Sequence, residues 1–345
     1  MSILPPLPSQ PHGTPWPTSK WPEGKIPSTV KQSALQTAMD QGFSAFGETH
    51  AVVIIIGGRL VYERYGPEHG PDITCMSWSK AKSITHALAG LLVADGLLDV
   101  EAPADVPEWT SPGDRRGAIT PDQLLRMSSG LSFAEVYEAD QPSDTIAMLW
   151  GEGQDDEAHY AATRPLAYDP DSYWSYSSGT TNIVSRILAK RLDAYGEDFH
   201  AFMKARLFEP LGMTSPVPKF DKAGTFIGSS FCFATARDFA RFGLLYLRDG
   251  KWDGRQILPE NWADYARIPT WQQDDVTDGP YGAHWWLGLG GPGSFSANGH
   301  EGQYTVVVPD LDMVFVRHGK TPTPLRDELK TWVGDTINLF RSTAP

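Results

Sequence analysis

Short runs of apolar residues near both ends of the chain have the alternation and length of β-strands. Residues 50–66 (HAVVIIIGGRLVYERYG) contain two such runs around a Gly-Gly pair, so they predict a β-hairpin. Residues 302–309 (GQYTVVVP) and 313–320 (MVFVRHGK) predict two more strands joined by a short Asp-Leu-Asp turn, and residues 283–290 (AHWWLGLG) predict another. Sheet-forming segments therefore lie early and late in the chain.

The rest of the sequence has the three-to-four-residue spacing of amphipathic helices. Residues 75–95 predict a helix that Gly96 ends, and residues 236–250 predict a second long helix. Further helices are predicted at four segments, the first of which opens with a serine cap at Ser28: 28–46, 178–192, 197–208 and 325–341. Strand signals are few in the middle of the chain.

Sheet-forming segments thus flank a helical insertion, and this arrangement predicts two domains. One is a discontinuous α/β domain of residues 30–115 and 216–345, and the other is a mostly helical domain of residues 116–215. A cleft between two such domains is a common place for a ligand site. Residues 1–29 contain eight prolines and little periodicity, so they predict an extended arm on the surface or a mobile tail.

Composition narrows the classes of function. The 345-residue chain is 41% hydrophobic and 21% charged, which is usual for soluble globular proteins. Its net charge of −13 argues against nucleic acid or an anionic membrane as a partner. Since no apolar run is long enough to cross a bilayer and the N-terminal sequence lacks the features of a secretory signal, we expect a cytoplasmic protein. The oligomeric state is open, with a homodimer as one option.

Sequence motifs for cofactors are missing. The two cysteines, Cys75 and Cys232, show no pairing pattern, and the nine histidines lack metal-ligand spacing. The stretch HEGQY that begins at His300 starts like a zinc-protease motif but lacks its second histidine. No glycine-rich nucleotide-binding motif occurs either. We therefore expect neither a metal nor a cofactor.

Residues 75–90 (CMSWSKAKSITHALAG) carry the strongest candidate chemistry, because two Ser-x-x-Lys patterns overlap there. Helix geometry separates Ser77 and Lys80 from Ser79 and Lys82. Ser79 and Lys82 share the small, polar side of the predicted helix. Ser77 and Lys80 point toward the leucine stripe, where a lysine is costly to bury. The pattern also suits a solvated helix face, so by itself it only indicates a nucleophile and its base.

Two further motifs follow in order along the chain. Tyr176 opens a Tyr-Ser-Ser stretch within residues 173–182 (YWSYSSGTTN), and His300 opens the His-Glu-Gly triplet that leads into the strand at residues 302–309. In order and spacing, these segments resemble the three motifs of the serine β-lactamase and penicillin-binding protein superfamily. More specifically, the chain resembles class C β-lactamase-related serine hydrolases, a group that includes esterases and 6-aminohexanoate-dimer hydrolases.

The resemblance covers nearly the whole chain from about residue 30. It implies an α+β fold like that of the β-lactamases and D,D-peptidases, in which an antiparallel sheet flanked by helices joins a mostly helical domain. The family's lysine stands fourteen residues before a helix-ending glycine, a spacing that Lys82 and Gly96 have and Lys80 lacks. Two departures weaken the β-lactamase interpretation: Ser178 stands where asparagine is usual, and His300 stands where the lactamases have lysine. Both departures occur among esterase and amidase relatives.

The resemblance implies a catalytic group of Ser79, Lys82 and Tyr176. Ser79 would be the nucleophile, and either a neutral Lys82 or a Tyr176 phenolate would take its proton. Burial between two domains lowers the pKa of a lysine, as a neutral base requires. The sequence leaves both bases open. Tyr176 would also pass a proton to the leaving group.

The resemblance also implies what surrounds these three residues. The backbone amides of Ser79 and Gln303 would form an oxyanion hole, with Gln303 on an edge strand beside the nucleophile. His300 would shape the wall of the site, and Gly302 would let the backbone approach closely. The remaining contacts with substrate would come from one hydroxyl and four aromatic side chains: Ser178, Tyr173, Trp174, Trp285 and Trp286.

The sequence therefore predicts a serine hydrolase that cleaves ester or linear amide bonds of small molecules through an acyl-enzyme on Ser79. One alternative is a β-lactamase or D,D-peptidase, which the missing lysine of the third motif disfavours. Another is a penicillin-recognising binding protein that is acylated without turnover. The joint presence of Ser79, Lys82 and Tyr176 argues against such an inactive site.

Overall fold

Strands and helices separate along the chain as the apolar pattern predicts. The structure is a computed structural model that describes residues 4–137, 141–276 and 279–341. The strands in this part of the chain are β1 Glu48–Ile56, β2 Arg59–Tyr65, β3 Thr74–Cys75, β4 Val217–Pro218, β5 Cys232–Thr235, β6 Lys251–Trp252, β7 Arg255–Gln256, β8 Trp286–Leu287, β9 Phe295–Gly299, β10 Gln303–Val308 and β11 Met313–Lys320. The helices are α1 Gln32–Gly42, α2 Lys80–Ala94, α3 Pro121–Leu125, α4 Asp144–Trp150, α5 Glu157–Ala162, α6 Ser178–Leu192, α7 Glu197–Met203, α8 Glu209–Leu211, α9 Ala236–Leu247, α10 Trp262–Arg267 and α11 Arg326–Asn338.

The main sheet is antiparallel and has the strand order β2-β1-β11-β10-β9-β8. The predicted early hairpin is β1 and β2, and Gly57 and Gly58 turn it with φ angles of 58° and 71°. The predicted late pair is β10 and β11. Because β1 pairs with β11, the two ends of the chain meet in one sheet.

Side chains of the central strands alternate between two hydrophobic cores, one on each face of the sheet. On β1, Val53 and Ile55 join the larger core with α2 and α9, whereas Val52 and Ile54 join the core with α1 and α11. All four are fully buried. Each such side chain stabilises the fold by roughly 1.5–3 kcal/mol relative to its exposed state. A one-residue slip of β1 would exchange the two sets, so packing fixes the register.

Helix α2 lies within the larger core, and every residue from Lys80 to Leu92 is buried. Its polar side is covered as closely as its apolar side. At Gly90, an added Cβ would lie 2.5 Å from the indole Nε1 of Trp262, so only glycine lets α10 pack there. The helix ends at Ala94, and Gly96 follows with a φ of 70°, as the sequence predicts.

The described part of the N-terminal segment lies over the surface as an extended arm. Arg248 Nη1 donates to the carbonyl oxygen of Pro8 at 3.1 Å, and Arg241 Nε donates to that of Pro17 at 2.8 Å. Trp252 Nε1 donates to Thr18 Oγ1 at 2.8 Å. These contacts favour the first of the two interpretations, an arm rather than a mobile tail.

Two details differ from the sequence-based expectation. Ser28 does not cap α1, because it lies in a turn in which Val30 N donates to the carbonyl of Pro27, and Lys31 takes the N-cap position. Gln303 does not lie on an edge strand either. Strand β10 pairs with β11 on one side and with β9 on the other, so it is an interior strand. In the described part of the chain, no helix has the length and apolar character needed to span a membrane.

Candidate active site

The candidate nucleophile lies on a turn with an unusual backbone. Trp78, in the turn after β3, has a φ of 45°, which residues other than glycine seldom adopt. Ser79 follows with a φ of −61° and directly precedes α2, so its backbone amide is among those left free at the start of the helix. Trp78 Nε1 donates to Glu301 Oε2 at 3.3 Å and braces the turn. The partly exposed Ser79 is thus presented by a constrained turn at a helix N-terminus.

Lys82 lies one turn along α2 and is 1% exposed. Its Nζ lies 3.2 Å from Ser79 Oγ, 3.0 Å from Ser178 Oγ and 2.9 Å from the carbonyl oxygen of Ser229. Burial lowers the pKa of Lys82 to about 8, and the negative charge of Glu135 opposes this shift. An amine with such a pKa is partly uncharged near neutral pH, and the uncharged form can accept a proton from a hydroxyl.

Ser178, the first residue of α6, links Lys82 to a carboxylate. Its hydroxyl donates to Glu135 Oε1 at 2.7 Å, and its backbone amide donates to Glu135 Oε2 at 2.7 Å. The Tyr137 hydroxyl also donates to Oε1, at 2.6 Å. Negative charge is favourable at the N-terminus of a helix. The Glu135 charge therefore stands two hydrogen bonds away from Lys82 Nζ.

Tyr176 reaches the same lysine from the loop before α6. Lys82 Nζ lies 4.8 Å from the centroid of the Tyr176 ring. The ring packs against Trp286 and Tyr281, with centroid distances of 5.4 and 5.9 Å. The fold therefore brings together Ser79, Lys82 and Tyr176, the three residues that the sequence motifs single out.

The competing pair, Ser77 and Lys80, does not meet through its side chains. Ser77 Oγ donates to the carbonyl of Ser230 at 3.1 Å and accepts from the backbone amide of Cys232 at 2.9 Å, so it is a buried structural serine. Lys80 Nζ lies 2.9 Å from His318 Nε2. The helix-face argument selects the pair that the structure brings together. That argument also held that a lysine is costly to bury on the apolar side of the helix. Lys80 is nevertheless fully buried there.

Gln303 opens β10 close to the nucleophile turn. Its cross-strand neighbour Gly299 packs so tightly on this turn that an added Cβ would lie 2.3 Å from the carbonyl oxygen of Ser77. The side chain of Gln303 is bound to β11: Nε2 donates to Gly319 O at 2.5 Å, and Oε1 accepts from Gly319 N at 3.1 Å. Gln303 thus has only its backbone left to offer to the site.

His300 and Gly302 have different surroundings. The His300 ring stacks on Tyr137 and meets Trp78 edge-on, with centroid distances of 5.1 and 5.5 Å, so it forms part of an aromatic wall. Gly302 has a φ of 83°, and an added Cβ would lie 2.3 Å from Leu329 Cδ2 and 2.5 Å from Arg317 Nη1. The close approach at Gly302 is therefore made to the protein interior.

The four aromatic candidates fall into separate groups. Trp174 and Trp286 pack around Tyr176, at centroid distances of 6.5 and 5.4 Å. Trp285 is fully buried against the core residues Phe242, Tyr246 and Phe295, so the expectation that it lines an acyl pocket is wrong. Trp286 opens β8, whereas Trp285 lies just before this strand and packs into the core. Tyr173 stacks on the exposed ring of Tyr168 at 3.9 Å.

Sequence reasoning missed several residues around the site. Glu135 and Tyr137 lie in a loop that has no motif spacing, and Trp150 and Phe231 come from two other distant segments to pack against Trp78. Only contacts in the folded chain could have identified them. Among the described residues, no group of three or more His, Cys, Asp and Glu side chains is arranged to hold a metal ion.

Comparison with known proteins identifies the family that has this fold and these motifs. The Beta-lactamase family model matches residues 39–336, which is most of the chain, and the chain belongs to this family. The resemblance inferred from the three motifs is thereby confirmed, together with its α+β fold. A curated relative is the 6-aminohexanoate-dimer hydrolase of Paenarthrobacter ureafaciens, 24% identical over 321 residues that cover 83% of this chain and 75% of the relative.

Solved structures repeat the fold at lower sequence identity. A Bacillus anthracis protein provisionally named a 6-aminohexanoate-dimer hydrolase superposes with a TM-score of 0.75 at 22% identity, covering 97% of this chain and 90% of that one. A penicillin-binding protein homologue from Caulobacter crescentus gives a TM-score of 0.69 at 20% identity, covering 92% and 99%. EstA from Arthrobacter nitroguajacolicus Rue61a gives 0.66 at 16% identity, covering 92% and 98%. Their names span amide hydrolysis and penicillin binding on one fold.

Proposed function

We propose that this protein is a serine hydrolase that cleaves ester or linear amide bonds of small molecules through an acyl-enzyme on Ser79. The observation that carries the proposal is the 3.2 Å approach of Lys82 Nζ to Ser79 Oγ, combined with a burial-lowered Lys82 pKa of about 8. A serine hydroxyl needs a neighbouring base to become a nucleophile. No other serine of the Ser-x-x-Lys segment has a lysine amine within hydrogen-bonding distance among the described contacts.

In the acylation step, Ser79 Oγ attacks the carbonyl carbon of the substrate while its proton passes to Lys82 Nζ. Ser178 Oγ and the Ser229 carbonyl accept hydrogen bonds from the resulting ammonium group, at 3.0 and 2.9 Å. The backbone amides of Ser79 and Gln303 stabilise the negative charge on the substrate oxygen. The Tyr176 hydroxyl then donates a proton to the departing alcohol or amine as the carbon–oxygen or carbon–nitrogen bond breaks.

Deacylation repeats these proton transfers with water as the nucleophile. Water attacks the acyl carbon and gives its proton to the Tyr176 oxygen. The bond from Ser79 Oγ to the acyl carbon then breaks, and the Lys82 ammonium returns its proton to Ser79 Oγ. A Tyr176 phenolate beside a Lys82 ammonium has the same number of protons as the neutral pair. Either microstate can therefore supply the base.

The third motif favours esters and linear amides over β-lactams. His300 stands at the position of the lactamase lysine and packs against Tyr137 and Trp78, so no ammonium group there pairs with a lactam carboxylate. The net charge of −13 gives no steering toward anions. The name of the Paenarthrobacter ureafaciens relative, a dimer hydrolase, supports linear amides as a second substrate class.

The test compares two substrates on one preparation. We expect kcat/KM for a short-chain p-nitrophenyl ester to exceed kcat/KM for nitrocefin. A fluorophosphonate probe should label Ser79, located by mass spectrometry, and the Ser79→Ala variant should lose both labelling and turnover. Nitrocefin hydrolysis as fast as ester hydrolysis would favour the β-lactamase alternative. Labelling of Ser79 without turnover of esters, amides or lactams would favour the binding protein.

A further inference from the structure

Lys80 is a buried lysine that has no role in the proposed mechanism. Its side chain is 0% exposed, and no ion pair in the described part of the chain includes it. Its Nζ lies 2.9 Å from His318 Nε2 and 3.5 Å from the centroid of the Phe239 ring. A buried ammonium without a carboxylate is costly, by several kcal/mol. Something other than a counter-ion must explain a lysine at this position.

The surroundings of Lys80 favour its uncharged form. Burial lowers the pKa of Lys80 well below its usual value. Cys75 is the nearby group that could carry a balancing charge, but burial raises the pKa of this thiol to about 11, so it stays protonated. Burial also lowers the pKa of His318 well below its usual value, and Lys80 adds to this shift. Burial therefore disfavours the charged forms of both partners in this contact.

The direction of this hydrogen bond follows from Gln303. The Gln303 amide is held in one orientation, because Gly319 offers a carbonyl oxygen to Nε2 and an amide to Oε1. Gln303 Oε1 also lies 3.1 Å from His318 Nδ1. An oxygen can only accept, so Nδ1 must carry the imidazole proton. His318 Nε2 is then the acceptor, and Lys80 Nζ donates to it.

Lys80, His318 and Gln303 thus form a chain between two backbone positions that matter for catalysis. Lys80 directly follows Ser79, and Gln303 carries the second expected oxyanion amide at the start of β10. The regular pairing of β10 with β11 begins only at Tyr304 with Arg317, so the Gln303 side chain holds the strand one position beyond it. These three side chains therefore link the backbone next to the Ser79 amide with the backbone that carries the Gln303 amide. The separation of those two amides sets the geometry of the oxyanion hole.

We propose that Lys80 is a positioning residue that, through its hydrogen bond to His318 and the contact of His318 with Gln303, sets the separation between the Ser79 and Gln303 amides. This inference rests on the proposed function, because it assigns those amides to an oxyanion hole. Removing one oxyanion donor costs about 10²–10³ in kcat. A donor that is misplaced rather than lost should cost less, and we expect about tenfold.

The main test is Lys80→Met, which keeps the length and apolar stem of the side chain and removes the donor. We expect kcat for a p-nitrophenyl ester to fall about tenfold with KM changed less than twofold. Thermal stability should fall modestly, because His318 Nε2 loses its buried donor. Affinity for a phenylboronic acid should fall by the same factor, because its tetrahedral adduct on Ser79 places an oxygen in the oxyanion hole. A purely structural role would not move kcat and boronate affinity together. The control is Lys204→Met, an exposed lysine, with no expected change.

A second variant keeps the proposal testable if Lys80→Met does not fold. Gln303→Met retains the backbone amide but loses the link to His318 and Gly319, so it should show the same loss in kcat and boronate affinity. In the double variant the two losses should not multiply. Unchanged kcat in whichever single variant folds, or multiplicative losses in the double variant, would overturn the positioning role.

A spectroscopic measurement checks the protonation state without relying on turnover. In ¹⁵N-histidine spectra, with His318 assigned by a His318→Phe variant, we expect a neutral ring protonated on Nδ1. An Nε2-protonated or doubly protonated ring would contradict the proposal. Absence of Ser79 labelling in the wild type would defeat the proposed function. Labelled Ser79 with unaltered Lys80→Met kinetics would defeat only the inference made here.

Discussion

Helix α2 carries two buried lysines, and their surroundings differ in a way that separates chemistry from positioning. Lys82 Nζ meets three oxygen atoms, those of Ser79, Ser178 and Ser229, with the Glu135 charge one hydrogen bond beyond. Lys80 Nζ meets one imidazole nitrogen and the face of Phe239. Burial lowers the pKa of both amines. Only for Lys82 does a nearby carboxylate limit that shift.

The difference shows that burial of a lysine does not by itself identify a base. An amine with a pKa near the working pH can take up and release a proton in each catalytic cycle. Lys80 is buried as deeply, but its described polar contact is the His318 imidazole rather than a candidate nucleophile. The polar groups on one side of α2 therefore make Lys82 a candidate base, and their scarcity on the other side leaves Lys80 with a static contact.

The largest expected effect comes from removing the amine on the Ser79 side. Lys82→Met should lower kcat/KM for a p-nitrophenyl ester about 10³-fold or more, because it removes the amine that lies 3.2 Å from Ser79 Oγ and that either takes the Ser79 proton or stabilises a Tyr176 phenolate. It should also reduce stability, since the Ser229 carbonyl loses its donor. Steady-state kinetics and denaturant unfolding, run beside Lys80→Met, measure both effects. Equal losses of activity in the two variants would erase the distinction between the lysines.

Local patterns account for much of what the sequence predicted correctly. The β1–β2 hairpin, the β10–β11 pair and the end of α2 at Gly96 depend on neighbouring residues, and all three are present. Ser79 and Lys82 were also accessible, because one turn of helix fixes their spacing. Tyr176 required a family resemblance, since its place beside Lys82 depends on long-range folding.

The errors and omissions have one physical origin. A helical wheel assigned Lys80 to the apolar side but could not show that β11 places His318 there as its partner. Glu135 reaches Ser178 from a loop 43 residues away, and no periodicity marks that contact. The interior position of β10 depends on its pairing with β9. Such contacts are set by packing between distant segments, so spacing within one segment does not reveal them.

The two serines of the overlapping motifs give a second comparison of the two sides of α2, and the smaller effect on turnover is expected for Ser77. Ser77→Ala should leave ester turnover within a few-fold of the wild type but lower the free energy of unfolding by about 1–3 kcal/mol, because the Ser230 carbonyl and the Cys232 amide lose a buried partner. Ser79→Ala should show the reverse: no turnover and nearly unchanged stability. Denaturant unfolding and an esterase assay on both variants give the comparison. Loss of fluorophosphonate labelling in Ser77→Ala with labelling retained in Ser79→Ala would reverse the assignment of the nucleophile.

The smallest expected effect concerns Glu135, whose charge acts on Lys82. This charge raises the pKa of Lys82 and so opposes the effect of burial. The base is active when the Lys82 and Tyr176 pair has lost one proton, so kcat/KM should rise with pH and level off above about 8. Glu135→Gln removes the negative charge that favours the ammonium form. The Lys82 pKa should therefore fall, and the rising limb of the profile should move to lower pH.

The quantity to compare is the ratio of kcat/KM for Glu135→Gln to that of the wild type, measured from pH 6 to pH 9. This ratio should be larger at pH 6 than at pH 9, because the variant has more of the active form at low pH, even if the altered contacts with Ser178 lower the plateau. Glu260→Gln changes an exposed carboxylate outside the site and should leave the profile in place. A limb that stays at the same pH in Glu135→Gln would show that this charge does not set the protonation of Lys82.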